Sequence, residues 1–551
     1  MTTKSDARSV SKTEQRESWV PMIAIALGQA IMSFNVASLP VALSGMVNSF
    51  NVPPTTVATG IVMYSLAVAG FVMLGAKLNQ RFGAVVIFRS VVILFGGAQV
   101  LMTFSPTANL MLTAQLLSGL AGAALVPSLV ALIANQYHGE QQAAALGALG
   151  SARAGAGVLA FVIGGVLGTH IGWRPAFGIL IAVSALVFLL SFKLKPAKSR
   201  PEVQIDLVGV LLTAAAIILI SFGFNNLNRW GLGLARPAAP FDLFGMSPAP
   251  FMIVVGIVLL QAFIVWTRRR TTAGKTPLLA LEVVSSASER AAVYAMFAVV
   301  ALEGMLNFSV PLYIQIIQGR SPIETAIAMM PFNLTVFFTA MLIIKLYQKL
   351  TPRQIGRYGF ALCTVALLWL AWVVRNDWGA PVVMIGLILF GIGQGSLVTL
   401  LFNVLVTASP KELAGDVGSL RGTTNNLAAA VGTAVSGALL VGLLSAFILA
   451  SLAQQPELKA ELQSQIDLDN NITFVSNERL KTALERTSIP SAKINEAVRI
   501  NEEARLRALK IGLLIMATLS LLAIFPAGRL PDYKPGEIPA NPPPPKPKRE
   551  D

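Results

Sequence analysis

The chain has 551 residues, 54% of them hydrophobic and only 13% charged, with 42 Lys and Arg against 27 Asp and Glu. A water-soluble domain carries about 25% charged residues, so most of this chain cannot face water, and its mean hydropathy of +0.68 agrees. The formal charge of +15 would suggest nucleic acid as a partner for a soluble protein. Here the basic residues fall in short loops between apolar runs, the bias that orients inner-membrane proteins, and no nucleic-acid partner is expected.

Taken in chain order, residues 1–18 form a polar N-terminal tail with no cleavable signal. Fourteen apolar spans follow, near 19–43, 55–77, 84–104, 108–134, 143–168, 174–193, 207–227, 249–267, 291–317, 323–346, 356–375, 380–407, 418–450 and 509–527. Each is long enough to cross a bilayer as a helix. The runs are continuous rather than alternating, which argues against a transmembrane barrel.

An even number of spans puts both termini on one side. Loops on that side carry Lys77, Arg81 and Arg89, then Lys193, Lys195, Lys198 and Arg200, then Arg268, Arg269, Arg270, Lys275 and Arg290, then Lys345, Lys349, Arg353 and Arg357, and Lys411. The opposite short loops offer only Arg174, Arg229, Arg236, Arg320 and Arg375. Both termini are therefore expected in the cytoplasm, with the chain in a bacterial-type inner membrane.

The long loop 451–508 reads as external and helical, with Leu458 and Leu462, and Leu480 and Leu484, as i,i+4 apolar pairs. Residues 528–551 form a proline-rich, charged tail expected to be extended and disordered. A weak repeat relates AKLNQRFGAVVIFR after span 2 to IKLYQKLTPRQIGR after span 10. It divides the chain into an N-terminal six-helix bundle at 19–195, two inserted helices at 196–270 and a C-terminal six-helix bundle at 271–527. Repeats of this kind place a substrate site at their interface near mid-membrane.

Several stretches carry a family resemblance. These are NVASLPVAL in span 1, LLSGLAGAALVPSLVAL in span 4, IGGVLGTHIGWRPAF from span 5 into span 6, IDLVG at 205–209 and VPLYIQIIQGRSPIETAIAMMP across spans 9 and 10. In this order the chain resembles the major facilitator superfamily, in particular its fourteen-span drug:proton antiporter branch, over residues 19–527. The resemblance implies an all-α integral membrane fold of two six-helix bundles plus two inserted helices. It also implies export of small, amphiphilic organic compounds by proton antiport. No cofactor and no enzymatic activity are expected, and a monomer is the expected state, although the sequence does not fix the oligomeric state.

The departures bear on mechanism. The family's loop after span 2 carries an Asp that pairs across the cytoplasmic gate; here Gln80 stands there, while Arg81 and Gly83 remain. The span-4 arginine of the family is Gln115, the Gly-Pro of span 5 is Ala160-Phe161, and Asn35 occupies the place of an acid often found in span 1. A facilitator or differently coupled carrier of the same fold is one alternative. A transporter-like receptor or scaffold acting through loop 451–508 or the tail is another.

Charged side chains within a span are costly, about 2.5–3.5 kcal/mol on insertion scales, so they are candidates for function. Glu303 lies near the middle of span 9 and is either the natural carrier, if a proton is the coupling ion, or a structural acid, buried neutral or hydrogen-bonded to a neighbour. Arg153 in span 5 either pairs with it, binds an anionic substrate, replaces the missing span-4 arginine as a proton-coupling residue, or snorkels to the headgroups. Polar amides at Gln29, Asn35, Gln115, Asn307, Asn333, Gln394 and Asn403 either bond between helices or line a central cavity. The resemblance places Asn35, Asn307 and Asn333 on cavity-lining spans.

Glycines 155, 157, 164, 165 and 168, and 432, 437 and 442, read as tight helix contacts in spans 5 and 13. Asp416 and Arg421 are a candidate gate pair. No Gly-Lys-Ser/Thr phosphate loop is present, which argues against an ATP-driven pump, and His138 and His170 fall on opposite faces, so no metal site is expected.

Overall fold

The computed structural model describes residues 17–137, 139–196, 199–231, 233–346, 349–375, 381–408, 414–454, 477–486 and 490–532. Among these, fourteen helices are long and apolar enough to cross a membrane. They are α1 Val20–Val41, α3 Pro54–Phe82, α4 Ala84–Thr103, α5 Ala108–Gln136, α6 Gly139–His170, α7 Arg174–Leu190, α8 Leu207–Trp230, α9 Pro248–Thr272, α10 Ala287–Leu312, α11 Pro322–Leu346, α12 Pro352–Val373, α13 Pro381–Ala408, α14 Ala414–Ala453 and α16 Ser491–Ala527. Two shorter helices accompany them, α2 Leu43–Phe50 and α15 Asn477–Glu485.

The starts of these helices follow from local chemistry. Proline opens α3, α9, α11, α12 and α13, where its missing N–H and fixed φ fit the first turn. Thr351 and Ser286 form capping boxes with Gln354 and Glu289 at α12 and α10. Asp206 caps α8 through the Gly209 amide and also accepts from Trp266 Nε1 at 3.0 Å, which ties α8 to α9.

The Trp-Arg corner before α7 is fixed from both residues. Trp173 donates to Ser49 Oγ at 3.0 Å, and Arg174 to the Ser105 carbonyl at 2.8 Å.

Helices α1 and α3–α7 form one bundle, and α10–α14 with α16 form the second; α8 packs on α9 and leans on α3 and α14. With both bundle faces apolar, close approach depends on small residues. A Cβ at Gly75 would lie 2.6 Å from Ala124 Cα, and one at Gly304 would lie 2.9 Å from the Ala429 carbonyl oxygen. Any side chain there would separate α3 from α5, or α10 from α14.

The two bundles meet along α3–α14 and α6–α11. Call the side bearing the start of α1 proximal and the other distal. On the distal side the seam is closed. Gly165 and Gly168 lie against Pro322, Ile323 and Ala326, and Ile323 N–H donates to Thr169 Oγ1 at 3.1 Å. Gln315, in the turn after α10, ties that helix end to α1 and α2, accepting from Ser44 N–H and donating to the Pro40 carbonyl, both at 2.9 Å.

On the proximal half of α6, Gly150, Gly155 and Gly157 face open space. The tight-contact reading of the glycines therefore holds for Gly165 and Gly168, while Gly164 is in ordinary contact with Val41 and Gly155 and Gly157 meet nothing. In α14, Gly432 packs directly against the Ala301 backbone, and Gly437 is in ordinary contact with Phe308.

Helices α14 and α16 have 40 and 37 residues. At 1.5 Å per residue each is roughly 55–60 Å long, about twice a hydrocarbon core. The excess projects on the distal side, where Leu452, Leu484, Ile494, Ala497 and Ile500 form a small core of their own under α15. The Leu480–Leu484 stripe packs there, and α16 runs unbroken from this head into the last span. Leu458 and Leu462, and the tail beyond residue 532, lie outside the described residues.

Candidate functional site

The central polar site is built on α10. Glu303 and Asn307, four residues apart, share one face of that helix. The Glu303 carboxylate accepts a 2.9 Å hydrogen bond from Gln394 Nε2 of α13. Gln394 is fully buried, and its Oε1, together with Asn307 Oδ1 and Asn425 Oδ1 of α14, is shielded and accepts no hydrogen bond from the protein. A buried acceptor left unpaired costs about 1–3 kcal/mol. Two of them, on Gln394 and Asn307, belong to residues tied to the Glu303 carboxylate by a hydrogen bond and by a shared helix face, and mark a place suited to donors from a solute.

Across the seam, Arg153 is exposed on the part of α6 that faces open space. Its charge acts on Glu303 of α10, on Tyr64 of α3 and on Arg421 of α14. Arg421 and Asn425 are four residues apart and so also share a helix face. The cluster thus joins elements of both bundles, and it holds one acid, two guanidiniums and several amides. It offers a carboxylate, a cation for an anionic group and hydrogen-bonding partners, within an apolar surround.

The other expected positions sort differently. Asn35 and Gln115 are both completely buried and pair reciprocally, Asn35 Nδ2 to Gln115 Oε1 at 3.0 Å and Gln115 Nε2 to Asn35 Oδ1 at 3.3 Å. Each amide satisfies the other, so the pair joins α1 to α5 and is no part of an open cavity. That corrects the cavity expectation for both. Asn333 is half-buried and donates to the Met329 carbonyl of its own helix at 3.0 Å. The side chain of Asn403 lies outside those described.

At the proximal end, α3 runs five residues beyond Lys77, the end expected for its span. Lys77 is thereby a buried interior residue rather than a loop cation, and its Nζ lies 3.7 Å from Asp416 Oδ1 in the first turn of α14. The acid also suits that helix N-terminus.

Asp416 thus answers Lys77, not Arg421. Five residues apart on one helix, Asp416 and Arg421 point about 140° from each other, too far for a direct pair.

Gln80 contributes its backbone carbonyl to Arg200 N–H at 2.8 Å. Arg81 lies beside the Phe82 ring, and Gly83 turns the chain with φ 90°, a conformation that residues with a Cβ rarely adopt. Beside them Asn79 donates to the Gly75 and Ala124 carbonyls and accepts from Ser128.

Sequence reasoning missed Lys77 and Asn79 because they read as loop residues. It missed Tyr64 because one phenol in an apolar run carries no pattern. Asn425 was findable, as an amide inside the span GTTNNLAAAV.

A sequence profile described as Major Facilitator Superfamily matches residues 25–433. Among curated relatives, the multidrug efflux pump LfrA of Mycolicibacterium smegmatis is 24% identical over 437 residues, covering 78% of this chain and 82% of the relative. The tetracenomycin C resistance and export protein of Streptomyces glaucescens is 25% identical, over 77% of this chain and 76% of the relative. The multidrug resistance protein Stp of Mycobacterium tuberculosis is 24% identical over 93% and 92%.

Among solved structures, an inward-facing, unoccupied bacterial homologue of the human lysosomal transporter Spinster superposes with a TM-score of 0.57 at 15% identity, covering 92% of this chain and 96% of that one. That likeness is one of fold.

Proposed function

The chain belongs to the major facilitator superfamily, whose members are transporters and not enzymes, and on that premise we propose that it exports small amphiphilic organic compounds in exchange for protons. The two bundles rock about the central site in alternating access. The bundles are taken as 19–195 and 271–527, with 196–270 as the inserted pair, in an inner membrane with both termini cytoplasmic. The names of the relatives support efflux, and the basic loops on the proximal side support the orientation.

The observation that carries the reading is Glu303. It is a carboxylate deep in α10, held by Gln394 at 2.9 Å and facing the charge of Arg153 from the other bundle. Protonated, it leaves Arg153 without a counter-charge in the opposite bundle. Ionised, it draws the bundles together and presents a negative group to the site. Binding of a proton and binding of a solute thus act on one carboxylate, and the solute meets the free acceptors of Asn307, Gln394 and Asn425.

Glu303→Gln keeps the shape and removes the titration. In proteoliposomes with an imposed pH gradient it should abolish gradient-driven flux of a fluorescent efflux substrate while leaving the protein folded. Full gradient-driven flux in the variant refutes the assignment. Equal flux of the wild type with and without a proton uncoupler supports the second reading, a facilitator, which the closed Asn35–Gln115 pair in place of charged residues favours.

A further inference from the structure

The distal head holds a buried cation that the transport site does not use. Arg505 of α16 is 1% exposed, among the largest fully buried side chains described. Its Nη1 donates to Asn477 Oδ1 at 3.0 Å, an oxygen that also accepts from Asn501 at 3.4 Å. Its Nε and Nη2 have no hydrogen-bond partner.

Those two nitrogens form one edge of the planar guanidinium, with parallel N–H bonds spaced to grip a carboxylate or phosphate with two hydrogen bonds. Glu502, three residues earlier on α16, acts on Arg505 electrostatically, as does Tyr313 from the turn after α10, but neither accepts from this edge. A buried guanidinium with two of its three nitrogens idle is costly, and an acidic group docked on that edge removes the cost.

The helix face that carries Arg505 narrows the ligand. Arg505, Leu509, Leu513 and Met516 share one face of α16. The last three line a small apolar crevice with Met305 of α10 and Leu440 of α14. A ligand seated on Arg505 and following this face of α16 meets the side chains of Leu509, Leu513 and Met516.

We propose that Arg505 is a binding site for the carboxylate or phosphate group of an amphiphile whose alkyl chain follows the α10–α14–α16 seam. The site lies in the distal head, apart from Glu303, and stands whether or not the transport reading does. Its ligand is either a transported acid on its way out or an anionic membrane lipid.

Full-length protein in a neutral detergent is titrated with laurate, with dodecyl phosphate and with uncharged dodecanol, and its melting temperature is followed. The two acids should raise it and dodecanol should not. Replacement of the fork in Arg505→Lys and Arg505→Gln should weaken the half-saturating concentration by about tenfold or more, the scale of a lost pair of charge-assisted bonds. Gly512→Leu, which fills the crevice beside Leu440 without touching Arg505, should weaken the acids likewise and covers the case of an Arg505 variant that does not fold.

An equal effect of dodecanol, or acid titrations unchanged in Arg505→Gln and Gly512→Leu, overturns the proposal. The source is told apart in nanodiscs. If phosphatidylglycerol, and not phosphatidylcholine, abolishes the laurate shift, the occupant is lipid. If the shift persists in both, it is a solute.

Discussion

Replacing Lys77 by Met tests the proximal latch between α3 and α14. The two side chains are 7% and 16% exposed and 3.7 Å apart, so the substitution strands Asp416 in a largely dry contact. Breaking a buried pair costs about 3–5 kcal/mol. The contact is long and Asp416 keeps some solvent, which puts the expected cost at the lower end, about 3 kcal/mol, or about a hundredfold in the equilibrium between closed and opened seams.

Cysteines at Val72 and Gly422 report that seam, because a Cβ at Gly422 would lie 3.0 Å from the Val72 side chain; the native Cys363 is buried and distant in sequence. Disulfide trapping of this pair should fall sharply in Lys77→Met and in Asp416→Asn. It should recover in the exchanged variant with Lys77→Asp and Asp416→Lys. Unchanged trapping and melting temperature in Lys77→Met would show that the ion pair does not hold the bundles together.

Two further outcomes follow from the packing. Asn35→Ala leaves Gln115 buried without its reciprocal partner and should cost about 1–3 kcal/mol of stability in a chemical-denaturation assay, with substrate preference in flux assays unchanged; a changed preference would restore these residues to the substrate site. Gly432→Val places a branched side chain against the Ala301 backbone and should destabilise by about 1–3 kcal/mol or more through overpacking. Size-exclusion and thermal melts check this, and wild-type stability would refute the close α10–α14 crossing.

Much of the candidate site was legible residue by residue but not as an assembly. Glu303 stood out because an acid in an apolar run has no cheap alternative to a functional or paired role, and Arg153 for the same reason. That Gln394 holds Glu303 was not readable, since the two lie 91 positions apart and periodicity says nothing about which helices adjoin. Asn35 and Gln115 looked like the same kind of residue as Asn307. Only their reciprocal hydrogen bonds distinguish a helix strut from a cavity wall. Lys77 was misread for a different reason: hydropathy ends a span at the first cation, whereas the helix continues as long as a partner such as Asp416 compensates the charge.

The sequence alone determined that the chain spans a membrane and how many times. Those properties follow from the cost of exposing polar backbone to lipid, set by neighbours in the chain. The tertiary structure alone decided which polar residues are partners and that the bundles close at Gly165–Ile323 while the opposite half of α6 stays open. It also left one edge of the buried Arg505 without a hydrogen-bond partner. These depend on which helix faces come together, and that is fixed by packing between segments hundreds of residues apart.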